Sequence, residues 1–217
     1  MLTINELFHR PKMHLKKIAI VFITITLVFG CSEELETSIQ SGDIIFQSTN
    51  SRQCKAVKLA TKSKYSHVGI VLEIDGELIV YEAVQPVKMT PLADWIRHGQ
   101  NGHYVVKRLK NADEILTSAV LSDMEDIANG YLGKNYDIYF EWSDEKIYCS
   151  ELVWKIYKEA TGIEIGNLKT LKDFDLSSNS VQSIMEERYG NDIPLDEDVI
   201  SPAGMFNSEK LVLIEQK

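Results

Sequence analysis

Apolar and polar positions alternate most clearly over residues 67–83. Two runs, HVGIVLEI and ELIVYEA, flank Asp75-Gly76. An Asp-Gly pair between alternating runs is a strong hairpin signal, because both loop positions must adopt positive φ. With those two as the loop, paired residues have numbers that sum to 151, so Gly69 faces Glu82. Side chains alternate between the faces of a strand. His67, Gly69, Val71, Val80 and Glu82 therefore share one face. Ile70, Leu72, Ile74, Ile79 and Tyr81 share the other, which reads as core. Glu82 lies diagonal to His67, a Cα separation of about 7–8 Å, and Gly69 puts no side chain between them.

The rest of the chain gives weaker patterns of the same kind. Ile44-Ile45-Phe46 reads as a strand, and residues 52–60 as a helix with Ala56, Val57 and Ala60 on one face. Residues 90–97 suit a short helix, with Thr90 as N-cap and Pro91 at its first position. Residues 103–109 alternate as a strand. Residues 113–131 read as one helix with a stripe of Ile115, Leu116, Ala119, Val120 and Met124. Residues 149–160 form a helical pattern stopped near Gly162, and Asp144 or Ser143 is placed to cap it from upstream. Residues 180–189 suit a further helix and 210–214 a last strand. The fold expected is α+β: a mainly antiparallel sheet or open barrel packed against the Cys149 helix.

The first thirty residues do not share this organisation. Lys12, Lys16 and Lys17 precede an uncharged apolar run from Ile18 to Phe29. That run is short for a membrane span but suits the core of a signal peptide. It ends in Val28-Phe29-Gly30-Cys31, similar to a bacterial lipobox apart from the bulky Phe29. Residues 1–30 are therefore expected to be a lipoprotein signal peptide, with Cys31 lipidated and residues 31–39 a tether. Met13 is a second possible start, which would make residues 1–12 a start-site artefact. An N-terminal core helix or a single membrane anchor is the competing reading. The expected location is the cell envelope, on a membrane reached through the lipid.

At 217 residues, the chain has room for one domain with a full core, assigned to residues 40–217. Removing residues 1–30, with four Lys/Arg and one Glu, changes 23 basic and 32 acidic residues to 19 and 31, or net −12. Such a surface argues against nucleic acid or anionic membrane as the main partner. The five histidines form no ligand-like cluster with the three cysteines, so no metal or other cofactor is expected.

Cys149 opens its helix, where the dipole and unpaired N–H groups favour a thiolate and can hold an oxyanion. His67 and Glu82, placed together by the hairpin, supply the base and its orienting carboxylate. Each residue also has a plainer reading. Cys149 is in register with Leu152, Val153 and Ile156 and suits a core position. His67 suits a structural histidine, and Glu82 a solvent-facing carboxylate. Cys54, in RQCKAVKLA, reads as core filling.

The segments GDIIFQS, SHVGIVLE, VYEAVQPVKMTPLADWI and DIYFEWSDEKIYCSELVWKIYKEATG, with the later VISPAGMFNSEKL, decide between these readings. Together they resemble the YaeF/YiiX-type permuted papain-like amidases of the NlpC superfamily, over roughly residues 41–211. The resemblance implies a circularly permuted papain-like fold in which the histidine strand precedes the cysteine helix. It implies Cys149 as nucleophile, His67 as base and Glu82 as orienting acid. Tyr148, which also matches the motif, is a substrate-binding or oxyanion candidate. The activity implied is hydrolysis of an amide or peptide-like bond, with cell-wall peptides as one substrate class. An acyltransferase or lipid-acting thiol hydrolase is the first alternative, and a non-catalytic lipid-anchored ligand-binding module the second. The partners expected are a small peptide, amide or acyl substrate and, through Cys31, a membrane.

Overall fold

The computed structural model describes residues 38–217. The expected signal peptide and the lipidation site, Cys31, lie outside these residues, as does most of the tether.

The strands are β1 (Ile44–Gln47), β2 (His67–Ile74), β3 (Glu77–Glu82), β4 (Lys88–Pro91), β5 (Val105–Leu109), β6 (Asn135–Tyr136), β7 (Lys146–Ile147), β8 (Lys169–Thr170), β9 (Asp198–Val199) and β10 (Leu211–Gln216). The helices are α1 (Arg52–Thr61), α2 (Leu92–His98), α3 (Ala112–Ile115), α4 (Ser118–Tyr131), α5 (Cys149–Thr161), α6 (Asn179–Tyr189) and α7 (Pro202–Phe206). Six strands form one antiparallel sheet in the order β10-β5-β1-β2-β3-β4. The architecture is the α+β fold expected, with α5 laid against β2 and β3.

The central hairpin has the expected register. Val71 pairs with Val80 and Leu72 with Ile79. Asp75 and Gly76 both have positive φ, 52° and 82°. Gly69 sits where no larger residue fits, because a Cβ there would overlap a methyl group of Val80. Both faces of the hairpin are buried. Ile70, Leu72 and Tyr81 join Phe46, Leu152, Val153 and Ile156 in the main core beneath α5. Val71 and Val80 join Ile45, Trp95, Tyr104 and Val106 in a smaller core covered by α2. A buried pair ties the sheet to its entry: the Arg108 guanidinium donates to both Asp43 oxygens at 2.7 and 2.8 Å.

Four expectations need correction. Thr90 is not an N-cap. It is held in β4 opposite Val80, and the helix begins two residues later at Leu92. The predicted helix over 113–131 is broken, because Thr117 adopts extended backbone and its hydroxyl accepts from Val120 N–H, restarting the helix. The restart turns the buried stripe onto Met124, Ala128 and Tyr131, leaving Ala119 exposed. Neither Asp144 nor Ser143 caps α5. Tyr148 is its N-cap residue, and Glu151 accepts from the Tyr148 N–H at 3.3 Å. Asp144 instead pairs with Lys155 at 2.7 Å. Cys54 does not fill the core either. It is half-buried in the first turn of α1, within 3.0 Å of the Thr49 hydroxyl.

Candidate active site

His67 is the first residue of β2 and Glu82 the last of β3. The antiparallel register brings these strand ends together, so the diagonal becomes a direct contact. His67 Nε2 lies 2.7 Å from Glu82 Oε2. Glu82 is buried, and each of its oxygens is held. Oε2 also accepts from Trp95 Nε1 at 3.0 Å, and Oε1 accepts from the Thr90 hydroxyl at 2.7 Å. Lys88 Nζ stands 3.7 Å from Oε1. Burial would raise the Glu82 carboxyl, but the bond to His67, the charge there, Thr90 and Lys88 outweigh it, so its pKa lies below the usual value. A buried carboxylate with partners on both oxygens is fixed in place and in charge.

Cys149 is the other side chain that acts on this imidazole, raising its pKa. With Nε2 turned to Glu82, Nδ1 is the ring nitrogen left for the sulfur. Burial alone would lower the His67 pKa. The bonds to Cys149 and Glu82, with their charges, reverse this and push it up to about 10. Trp95 lies nearly parallel to the His67 ring, at 5.8 Å between centroids and 23° between planes. The imidazole is thus held by the Glu82 carboxylate and faced by the Trp95 indole.

Cys149 is buried at the first turn of α5. The residues on either side of it grip both backbone polar groups of one residue just beyond β9. The Ile200 N–H donates to the Tyr148 hydroxyl at 3.1 Å, and the Ser150 hydroxyl donates to the Ile200 carbonyl at 2.9 Å. These two bonds straddle Cys149 and fix the helix start against residue 200. Tyr148, singled out as a substrate or oxyanion candidate, therefore has its hydroxyl engaged by the backbone, while its ring lines the adjoining pocket and meets Phe140 edge-on at 5.2 Å. Deeper in α5, Glu151 is buried beside Lys155, 2.8 Å away. Burial, opposed by Lys155, raises the Glu151 carboxyl to about 7.

A pocket with about 80 Å³ of free space opens beside Cys149. Its walls are mostly apolar: Ala56, Val57 and Ala60 of α1, Val181, Ile184 and Met185 of α6, with Leu171, Phe174 and Ile200. Arg188, Gln53 and Tyr136 line it too and are bonded in series. Arg188 donates to Gln53 Oε1 at 2.8 Å, and Gln53 Nε2 donates to the Tyr136 hydroxyl at 2.7 Å.

Sequence reasoning missed Trp95, Thr90 and this series. Thr90 lies on the Glu82 face of the sheet by strand register alone, and alternation along β4 is the signal that would have found it. Trp95 and Tyr136 reach the site from a helix and a two-residue strand whose packing leaves no local pattern.

The chain matches the family model described as permuted papain-like amidase enzyme, YaeF/YiiX, C92 family, over residues 38–215. It is 46% identical over 178 residues to the uncharacterized protein YiiX of Escherichia coli K12, covering 82% of this chain and 87% of that one. A crystal structure of YiiX from Escherichia coli O157:H7, described there as a metalloprotein, superposes with a TM-score of 0.80 at 45% identity, covering 83% of this chain and 99% of that chain. The histidine strand preceding the cysteine helix, the sheet order and this match over most of the chain agree: the protein belongs to the YaeF/YiiX family of permuted papain-like amidases.

Proposed function

We propose that the protein is a cysteine hydrolase that cleaves an amide bond whose acyl side is apolar. The observation that carries this reading is the Glu82–His67 pair acting with Cys149, whose side chain lines a mostly apolar pocket. Cys149 Sγ attacks the carbonyl carbon as the thiolate of an ion pair with the His67 imidazolium. The tetrahedral intermediate collapses as His67 passes its proton to the leaving nitrogen, and an acyl-enzyme remains. His67, now neutral, takes a proton from water. The hydroxide adds to the thioester carbon, and the thiolate leaves with the acid product. Glu82 keeps the ring oriented and offsets its charge at each stage. The Cys149 backbone N–H, at the open end of α5, donates to the oxyanion.

The pocket favours an apolar acyl group over a stem peptide of the cell wall, since its floor carries few polar anchors. Transfer of the acyl group to an acceptor other than water uses the same intermediate and is the second reading. The YiiX relative is described as a metalloprotein. Among the described residues of this chain, no three His, Cys, Asp or Glu side chains are grouped to hold a metal ion, so the donor set does not fit one. The steps above route nothing through a metal.

The test is a panel of N-acyl amines of increasing chain length and a set of muropeptides, with products read by mass spectrometry. Cleavage of the acyl amides by wild type, lost in Cys149→Ala, is the expected result. Cleavage of muropeptides alone would reverse the substrate assignment. Stable binding without turnover would favour a ligand-binding module.

The proposal extends to location. Cys31, as a lipidated residue, would hold the acidic domain at a membrane surface. Among the described residues no helix is long and apolar enough to cross a membrane. Membrane fractionation of cells expressing the full chain and its Cys31→Ala variant checks this. The variant should become soluble once the signal is cleaved.

A further inference from the structure

Among the described residues that line the pocket beside Cys149, Arg188 is the one Lys, Arg, Asp or Glu. It lies half-buried in the last turn of α6. Two contacts hold its guanidinium. Nη2 donates to Gln53 Oε1 at 2.8 Å, and the guanidinium carbon stands 5.3 Å from the centre of the Phe140 ring. Among the described residues no carboxylate pairs with it. Its neighbour Glu187 turns to Arg52 instead, at 2.9 Å. Acidic residues outnumber basic ones in the chain by 32 to 23, so the missing partner is not a matter of supply.

A cation against apolar walls costs free energy unless an anion offsets it. The end of a helix favours any cation, and so does the face of an aromatic ring. A lysine would serve both. Neither requires the planar fork of an arginine, or its place in the wall of a pocket that also holds the nucleophile.

From this arrangement we propose that Arg188 determines specificity by pairing with a carboxylate on the acyl group. The substrate is then an amide whose acyl part runs from the scissile carbonyl through an apolar stretch to a carboxylate. The inference rests on the hydrolase reading above and sharpens its substrate class. Cys149 and Arg188 line one pocket, so a single acyl group can meet both. Its apolar stretch packs on Val57, Val181, Ile184 and Met185. Its carboxylate takes two parallel N–H···O bonds from the guanidinium, the pairing that the fork favours. Gln53 and Phe140 hold the guanidinium beforehand, so little side-chain freedom is lost on binding. A chain ending in a methyl group leaves the cation without a partner and gains none of this.

The experiment uses p-nitroanilides of straight-chain acids of increasing length, each matched with the same chain ending in a carboxylate. Wild type should show a kcat/KM about 10- to 100-fold higher for the carboxylate-ended member of at least one pair, the ratio that a hydrogen-bonded ion pair supports. Arg188→Gln should bring that ratio close to one. Arg188→Lys, which keeps the charge and loses the fork, should retain part of it. Arg188→Glu should turn the preference toward a chain ending in an ammonium group. Thermal melts confirm that each variant folds. Calorimetric titration of the carboxylate-ended anilides into Cys149→Ala, with and without Arg188→Gln, reads binding apart from turnover. A ratio near one in wild type at every length, or an equal fall for both members in Arg188→Gln, overturns the inference and leaves the hydrolase reading standing. Binding that depends on Arg188 with no turnover of any anilide removes the hydrolase reading and leaves Arg188 as the residue that binds the carboxylate.

Discussion

Glu82→Gln is the most informative single change, because the structure says what the amide can satisfy. Its oxygen can stand where Oε2 stands, accepting from His67 Nε2 and Trp95 Nε1. Its NH₂ then meets the Thr90 hydroxyl, which can turn to accept. The Thr90 proton loses the acceptor it had in the carboxylate, so the variant should fold with some loss of stability. What it loses is the charge. A charge-assisted hydrogen bond exceeds a neutral one by about 1–2 kcal/mol. At 1.36 kcal/mol per decade, the His67 pKa should fall by about one unit and kcat/KM by about tenfold. The pH dependence gives the sign. His67 is raised above its ordinary 6.5 to about 10, so its ion-pair contribution is fully present below pH 6.5 and is lost as pH rises through about 10. Glu82 is held below its ordinary 4.5, so its contribution is present above pH 4.5 and is lost as pH falls through the lower value. The assay is kcat/KM against pH on the cleaved acyl amide, with the His67 ring followed by NMR. In wild type the alkaline limb should fall near pH 10, and in Glu82→Gln about one unit lower. A variant with wild-type kcat/KM and an unmoved alkaline limb would falsify Glu82 as the residue that orients and charges His67.

Three further outcomes are expected. Val57→Phe, which pushes a ring into the pocket of about 80 Å³ beside Cys149, should lower kcat/KM for long acyl chains and spare short ones; equal effects on both would argue against an acyl site. Gly69→Ala should destabilise the fold by about 1–3 kcal/mol through overpacking against Val80, measured by urea unfolding, and an unchanged midpoint would contradict the hairpin packing. Glu151, raised to about 7 by burial, favours the fold most below its ordinary 4.5 and loses that contribution as pH rises through about 7. Glu151→Gln keeps the acceptor for Tyr148 N–H, so its melting temperature should lack this decline, and a decline equal to wild type would place the titration elsewhere.

The sequence by itself determined the parts of the site that are local. Period-two alternation around Asp75-Gly76 set the hairpin register, and a register is a complete statement of which side chains share a face. It placed Glu82 against His67 before any tertiary contact was known. The start of α5 at Cys149 was legible because the apolar helical pattern begins there and Gly162 ends it, with φ of 75°. The break before α4 was less legible: Thr117 is a good cap, but its neighbours support a continuous helix equally well. Only the tertiary structure decided what surrounds these groups. Trp95 and Thr90 hold Glu82 because α2 closes over one face of the sheet, and helix-on-sheet packing has no sequence period of its own. Tyr148 and Ser150 reach Ile200 across about 50 residues of chain. Tyr136 lines the same pocket as Cys149 because a two-residue parallel pairing with the strand before α5 brings it there. The mostly apolar pocket beside Cys149 is built from α1, α6 and the loops around them, so its character is a sum over distant segments. Local pattern fixes which groups can react, whereas long-range packing fixes their charge, their partners and the substrate they meet.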